Sequence, residues 1–402
     1  MARSCSTICL PVDQSVYRDL VDDPGRFRGW LDEVYPDSPE LFPRAFAEGY
    51  RLKDDHTSVK LGVRLRRVRC KSGGSFSVRP CFVLPYMVGY ADEACGPLFQ
   101  LDFGVPSWAS ARVFGRGVKF WYRLEVAPER NSVVGTTARR AELPEHLLAD
   151  EHHQPRDGSK NYVATTVAEG CCLGAALART AGAEDLRAAC GVFASGARDV
   201  RPDYRPRTAS VDGWALTHKA WLALFPLIGP LSCFLHGWLN IRSRGKLKQS
   251  LHEMSRRAWE SYHALSRGAF SQRLRRLRGW ARRQGMSTWL LEQVEELRGR
   301  SREYAAAYSH PGGHRASNML DRVMRSMNRY FDDGRHLQGG AEARDLHCRA
   351  WALLYNFRPY HPAVTRKNDG RRCPAERLNE HRYRDEWLQN LLISASLGGF
   401  RR

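Results

Sequence analysis

Hydrophobic and polar positions along the chain predict a strand-containing start followed by short helices. In residues 59–66 apolar side chains alternate with basic ones, and after a glycine pair a second such run contains Phe76 and Val78. This period of two predicts a basic two-stranded ribbon, whose outer face either lies on phosphates or is an ordinary solvated face. Apolar residues between Trp30 and Phe46 predict a small helical cap over residues 1–55.

Residues 91–125 divide into three helical segments at two glycines, a pattern typical of a helix-turn-helix. The third segment is predicted to place Val118, Trp121 and Tyr122 inward and Lys119 and Arg123 outward, as a recognition helix would. Many small helical domains share this pattern without binding DNA. We predict that the ribbon and these helices form a DNA-binding domain over residues 56–130, with Lys119 and Arg123 as DNA contacts.

Strand and helix patterns follow one another between residues 146 and 225. Apolar runs at 146–150, 162–167 and 171–178 have strand length, and Glu169-Gly170 is typical of a hairpin turn. A helical segment at 184–197 precedes the short run 209–211, which ends at Asp212-Gly213; a second helical segment then continues to Phe225. A carboxylate at a strand end is where metal-dependent phosphoryl-transfer enzymes hold their cations.

The segment around Asp212 contains an ordered set of motifs: Asp212-Gly213 after a strand, Phe225-Pro226 at the end of a helix, and Cys233-x-x-His236 before another helix. This set resembles the second catalytic block of DDE transposases of the Mutator-like class and related bacterial insertion sequences. A lone Asp-Gly would be only a turn, so the spacing of the set carries the resemblance. The similarity extends in ordered blocks over residues 90–395, and is strongest at 146–241 and 310–331.

The resemblance implies an α/β fold with an RNase H-like mixed sheet and an all-helical insertion domain, preceded by the helix-turn-helix-like DNA-binding region. The catalytic domain would occupy residues 140–240 and 310–402, and the insertion residues 241–309. The family needs a first acid on the opening strand, and Asp150 supplies one. Three antiparallel strands, a helix and a fourth strand is the RNase H order, which would set Asp150 and Asp212 on adjacent strands.

The third acid of such a site would lie on a helix after the last strand. Arg315, Ser317, Asn318 and Asp321 resemble the Arg-Thr-x-Asn-x-x-Glu block of the family, with aspartate in place of its glutamate. Aspartate still binds a hard divalent cation through oxygen, although its shorter side chain changes the reach. Glu376, on another predicted helix, is the competing candidate.

Four further residues are candidates for support of this site: Cys233, His236, Arg315 and Asn318. Cys233 and His236 have metal-ligand spacing, but no second pair stands at a fitting distance, so a zinc site would be incomplete. We therefore predict that Cys233 is a buried strand residue and that His236 is the first polar group of the next helix. His236 is also placed to contact the scissile phosphate.

The charge of the chain points to a polyanionic partner. Lys and Arg number 63 against 43 acids, which gives a net charge of +20. Within the predicted insertion, residues 267–283 carry seven arginines and no acid. We predict that Arg275 and Arg276 bind flanking DNA there, the alternative being a solvated helix face.

Taken with the resemblance, these features imply a transposase of an insertion sequence. Asp150, Asp212 and Asp321 would hold two Mg²⁺ ions, with Mn²⁺ as a substitute, and catalyse strand cleavage and strand transfer at the element ends. The expected partners are double-stranded DNA, as terminal inverted repeats and target, and further copies of the chain in a homodimer or larger synaptic complex. The alternatives are a domesticated transposase-derived DNA-binding regulator and an RNase H-like structure-specific nuclease.

The sequence predicts no membrane segment, because no apolar run reaches the roughly 18 residues that a spanning helix needs. The 11 cysteines are scattered without a Cys-x-x-Cys pair, which fits a reducing compartment. We expect a cytoplasmic, nucleoid-associated protein.

Overall fold

The computed structural model describes residues 6–140, 142–156, 159–244, 248–332 and 340–400. The predicted ranges 1–55, 140–240, 241–309 and 310–402 each also include residues outside this part of the chain. The fold is mixed α/β, and its strands form two mixed sheets. Among the described residues, no helix is both long and apolar enough to cross a membrane.

The first sheet has the order β1-β4-β3-β2 and carries two helices. Its elements are β1 (Thr7–Leu10), α1 (Gln14–Asp22), α2 (Pro24–Asp37), β2 (Tyr50–Ser58), β3 (Val63–Cys70) and β4 (Ser75–Pro80). β1 is parallel to β4, whereas the other pairs are antiparallel. Phe27, Leu31 and Phe46 from the intervening segment pack with Val68 and Val78 of the sheet in one core.

This arrangement corrects the predicted separation of a helical cap from a two-stranded ribbon. β1 belongs to the same sheet as the ribbon, and the boundary expected at residue 55 falls inside β2. β1 satisfies the backbone groups along one edge of β4, which would otherwise stay unpaired. Val59, expected in a strand, lies in the turn between β2 and β3 and is 93% exposed.

Four helices follow: α3 (Ala91–Asp102), α4 (Ser107–Phe114), α5 (Val118–Val126) and α6 (Val133–Thr137). The three predicted helical segments are therefore confirmed. The predicted orientation of α5 is only partly right: Trp121 is buried, but Val118 and Tyr122 are exposed. The buried face of α5 consists of Trp121, Leu124 and Glu125, at helical spacing of three and four.

The second sheet has the order β7-β6-β5-β8-β9. Its strands are β5 (His146–Arg156), β6 (Ser159–Ala168), β7 (Cys171–Ala178), β8 (Thr208–Val211) and β9 (Gly229–Ser232), with α7 (Ala183–Val200) and α8 (Ala215–Leu224) between them. β5, β6 and β7 are antiparallel, whereas β8 and β9 run parallel to β5. The hairpin turn at Glu169 and Gly170 has positive φ at both residues, which suits a two-residue connection.

Among the described residues, five helices lie between the second sheet and the C-terminal region, and together they are called the helical segment. They are α9 (Phe234–Arg244), α10 (Lys248–Tyr262), α11 (Arg267–Arg283), α12 (Thr288–Gly299) and α13 (Ser301–Ala305). They enclose a core of their own that includes Trp238, Met254, Phe270 and Leu297. The predicted helical character of this segment is confirmed.

The C-terminal helices are α14 (Asn318–Asp332), α15 (Ala341–Phe357), α16 (Pro362–Lys367), α17 (Pro374–Leu378) and α18 (Trp387–Ser394). Helices cover both faces of the second sheet, and the alternation of side chains along β5 separates the two cores. Leu148 packs with residues of α14 and α15, whereas Leu147 and Ala149 pack with residues of α7. This alternation sets the direction of the polar residues that follow on β5.

Candidate active site

Asp150 and Asp212 approach each other because their strands are neighbours. β5 and β8 are paired with Leu148 opposite Ser210, so Asp150 and Asp212 lie two residues further along each chain. The predicted adjacency of the two strands is confirmed. Carboxylate oxygens of Asp150, Glu151 and Asp212 all lie within 4.8 Å of one another, so this cluster could hold a metal ion.

The position of Asp212 depends on the turn that follows β8. Asp212 Oδ1 accepts a hydrogen bond from the Trp214 backbone N–H at 2.8 Å, which fixes the carboxylate at the start of α8. Gly213 has φ +96°, and a Cβ atom there would meet the Arg300 guanidinium. Glycine is therefore favoured at this position for the backbone conformation, whereas the arginine side chain could move aside.

Glu151 is a member of the cluster that sequence reasoning missed. Strand alternation places Asp150 and Glu151 on opposite faces, and Glu151 is 4% exposed on the side of α7 and α8. Thr217 Oγ1 donates to Glu151 Oε1 at 2.8 Å, whereas Oε2 is buried with no hydrogen-bond partner among the described residues. The adjacent Asp150-Glu151 pair was the available sequence signal, but alternation alone gives no reason to join the two carboxylates.

The electrostatics of the cluster are those of buried acids held close together. Burial, followed by the repulsion of Asp212, raises the pKa of Asp150 to about 7. Burial is also the main cause that raises the pKa of Glu151 to about 7, with Asp150 and Asp212 adding to it. A divalent cation would relieve this repulsion, and oxygen donors of this kind suit Mg²⁺ or Mn²⁺.

Asp321 lies on α14, on the face of the sheet that Asp150 shares. Its negative charge contributes to the raised pKa of Asp150 and to that of His236, so the three side chains are neighbours. Asp321 lies outside the closest carboxylate group, which consists of Asp150, Glu151 and Asp212. The structure thus brings the three predicted aspartates into one region, with Asp321 at its edge.

His236 introduces a positive charge beside these carboxylates. A hydrogen bond with Cys233 is the largest cause that raises the pKa of His236 to about 9, and Asp150 and Asp321 raise it further while burial opposes them. A basic side chain thus lies beside the carboxylates. Cys233 is buried just after β9 and donates to Ser317 Oγ at 3.5 Å, while His236 lies in the first turn of α9.

Glu376, the competing third acid, has a structural role. It is 1% exposed on α17, and its carboxylate accepts hydrogen bonds from the backbone N–H and guanidinium of Arg372 and from the Tyr383 backbone N–H. Those partners occupy both carboxylate oxygens. The geometry therefore favours Asp321 over Glu376 as the third acid.

Arg315 and Asn318, the remaining candidate supports, lie just before and at the start of α14. Arg315 Nη2 donates to the Tyr262 carbonyl and to Tyr308 Oη, both at 2.6 Å, and its guanidinium lies 4.3 Å from the Tyr308 ring centroid. These contacts attach the residues just before α14 to the helical segment. Asn318 is exposed at the N-terminus of α14.

The predicted DNA contacts Lys119, Arg123, Arg275 and Arg276 are all exposed. On α11, Arg278 and Arg282 both pair with Glu295, and Arg273 binds the Glu260 carbonyl. Within the described ranges Arg275 and Arg276 form no ion pair. The arginines of α11 thus divide into a structural set and a set available to a polyanion.

The sequence was also compared with known proteins. No model of a protein family matches it, and no curated protein is similar to it.

Proposed function

We propose that the chain is a metal-dependent polynucleotidyl transferase on an RNase H-like fold, and specifically a DDE-type transposase that cleaves and joins DNA. One observation carries the proposal: Asp150 and Asp212 lie at neighbouring positions of two parallel strands, beside a helix that presents Asp321. The sheet order β7-β6-β5-β8-β9, with its first three strands antiparallel, is the order expected for that fold.

Asp150, Asp212 and Asp321 would hold the divalent ions, and Glu151 adds a fourth carboxylate at the inner side of the cluster. When bound, Mg²⁺ would activate a water or a DNA 3′-hydroxyl as the nucleophile and stabilise the leaving oxygen. The unpartnered Glu151 Oε2 and the raised pKa of Asp150 are features that a cation at this point would explain.

His236 would act on the phosphate itself. Its ring, whose pKa is raised to about 9, lies beside Asp150 and Asp321, where the scissile phosphate would bring further negative charge. We propose that this ring donates a hydrogen bond to a phosphate oxygen and holds a proton within reach of the leaving oxygen. Cys233 hydrogen-bonds with this ring, and Ser317 connects Cys233 to Asp321 on α14.

The partner proposed here is DNA, because the chain carries a net charge of +20 and exposes basic residues on α5 and α11. Lys119 and Arg123 are proposed to read the element ends, and Arg275 and Arg276 to add affinity that is independent of sequence. Synapsis of two ends would require at least two copies of the chain. A cytoplasmic, nucleoid-associated location would follow from these partners.

The test compares two labelled duplexes, one that carries the inverted repeat bordering the gene and one of random sequence. A transposase is expected to cut the first at the element end in Mg²⁺ and to join the new 3′-hydroxyl to target DNA. It should do neither in EDTA. Equal cutting of both duplexes would indicate a nuclease, and binding of the end without cutting would indicate a DNA-binding regulator.

A further inference from the structure

The helices α4 and α5 expose apolar side chains next to basic ones on both sides of their short connection. Every residue from Arg112 to Lys119 is exposed. Trp108 lies one turn before this segment and is 61% exposed, and Val113 is 70% exposed. We use the name α4–α5 surface for the following residues: Trp108, Arg112, Val113, Phe114, Val118, Lys119, Tyr122 and Arg123.

The apolar members of this surface are held in place rather than loosely extended. Gly115 and Arg116 both have positive φ, and Trp121 Nε1 donates to the Gly115 carbonyl at 2.9 Å, which fixes the turn. The Phe114 ring lies edge-on to Trp121, with centroids 6.4 Å apart. Five large apolar side chains exposed on two successive helices indicate a binding surface, since single exposed ones need no explanation.

Basic residues restrict which partner can cover the α4–α5 surface. Lys119 and Arg123 form a stripe beside Val118 and Tyr122 on α5, because each pair is separated by one helical turn. Arg116 pairs with Glu93 at 3.3 Å, but Arg112, Lys119 and Arg123 have no ion-pair partner in the described part of the chain. A second copy docking through the same surface would bring like charges together.

The partner must therefore combine negative charge with exposed apolar faces. Duplex DNA offers phosphates and base edges, but its base faces are stacked on one another. A single strand offers both phosphates and unstacked base faces, and basic surfaces with aromatic side chains are how proteins bind it.

We propose that the α4–α5 surface binds single-stranded DNA. Bases stack on Trp108 and Phe114, and phosphates lie against Lys119 and Arg123, the two residues that would contact the duplex end before its strands separate. The choice of DNA rather than another single-stranded nucleic acid rests on the proposed function. In that function, cleavage at a duplex end separates two strands, and the protein must hold the separated strand. Val118 and the exposed part of the Tyr122 ring add apolar surface beside these basic residues, which a purely polar recognition helix would not offer.

The experiment measures binding of the full chain to labelled oligo-dT of about 16 nucleotides and to a blunt duplex of the same length, by fluorescence anisotropy in EDTA. Trp108→Ala should weaken oligo-dT binding about tenfold and leave duplex binding nearly unchanged. Trp108→Phe, which keeps a ring, should retain most of the affinity. Leu227→Ala, which removes another exposed apolar side chain outside the surface, is the matched control.

Three outcomes would overturn the proposal. The first is unchanged oligo-dT binding by Trp108→Ala, and the second is an equal loss for both nucleic acids. The third is a shift of oligomeric state in sedimentation without a change in binding, which would make the surface a contact between copies. The binding assay is run in EDTA and does not depend on catalysis. A failure of DNA cleavage in a separate assay would therefore count against the proposed function but not against single-strand binding by the α4–α5 surface.

Discussion

Ser317 binds Asp321 twice: its carbonyl accepts from the Asp321 backbone N–H at 2.9 Å, and its Oγ donates to Asp321 Oδ1 at 3.4 Å. Ser317 is itself buried and accepts a hydrogen bond from Cys233. The end of β9 and the first turn of α14 are thereby connected through one hydroxyl. Asp321 thus lies in the first turn of α14, and its carboxylate is oriented by Ser317, the residue just before that helix.

We expect Asp321 to tolerate a change of length better than a loss of charge. Asp321→Glu should retain cleavage, reduced by about a hundredfold because the longer side chain misplaces the ligand oxygen. Asp321→Asn should be inactive, since a neutral amide does not balance the charge of the cation and binds it less tightly than a carboxylate does. Single-turnover cleavage of a labelled element end measures both. Full activity of Asp321→Asn would remove Asp321 from the site.

Glu376→Gln provides the comparison for the competing acid. The carboxylate of Glu376 is buried against Arg372, so its loss should lower the free energy of unfolding by about 1–3 kcal/mol while cleavage of the folded protein stays near wild type. Urea unfolding and single-turnover cleavage separate the two effects. A folded Glu376→Gln protein that cannot cleave DNA would contradict the assignment of Asp321.

Asp212→Asn is expected to abolish cleavage and strand transfer and to leave DNA binding nearly intact, because this carboxylate belongs to the proposed metal site and not to the proposed phosphate contacts. The amide keeps an oxygen that can accept from the Trp214 backbone N–H, so the turn before α8 should survive. Electrophoretic mobility shifts and circular dichroism provide the controls. Cleavage by Asp212→Asn at the wild-type rate in Mg²⁺ would refute the active-site model.

From the sequence, the strands of the second sheet could be predicted better than the residues that surround the candidate site. The RNase H strand order that the resemblance implies, together with the position of Asp212 after a short strand, was enough to predict that the two aspartates lie on adjacent strands. Glu151 could not be predicted, because its carboxylate joins the cluster from the opposite face of β5 through side-chain reach. The pairing of β1 with β4 was missed because a strand of four residues, Thr7–Leu10, finds its partner far along the chain.

The orientation of α5 shows a different limit. Its hydrophobic pattern has two apolar stripes, and which one is buried depends on where α3 and α15 pack, not on α5 itself. Tyr122 remains at the edge of that contact, with its hydroxyl 3.0 Å from His347 Nε2 on α15. A local pattern identifies a helix, but only tertiary packing selects its buried face.

The stability of the metal-free protein should fall as pH rises from about 4 to about 7. Asp150 and Glu151 have pKa values raised to about 7 in the folded chain, so the folded state keeps protons that the unfolded state has lost in this window. Urea unfolding in EDTA at pH 5 and pH 8 measures the difference. Asp150→Asn should reduce the dependence, although Glu125, with a pKa raised to about 8 by burial, contributes in the same direction.

Added Mn²⁺ should reverse this loss. At pH 8 the carboxylates are ionised and can bind the cation, so the unfolding midpoint should rise, whereas at pH 5 protons compete and the rise should be smaller. Asp150→Asn should reduce the rise at pH 8. An equal rise at both pH values, or an undiminished rise in Asp150→Asn, would place the binding outside this cluster.

The arginines of α11 allow a comparison between residues proposed to bind DNA and residues that stabilise the helical segment. The double substitution of Arg275 and Arg276 by alanine should weaken binding to element ends and to random duplex equally, because phosphate contacts carry no sequence information. The slope of log affinity against log salt should become shallower by about 0.9 for each lost phosphate contact.

Alanine at Arg278 and Arg282 removes the same charge from the same helix but also breaks the pairs with Glu295. That variant should lose stability of the helical segment. If the two double variants weaken DNA binding and flatten the salt slope to the same degree, α11 acts through its total charge and Arg275 and Arg276 have no special contact.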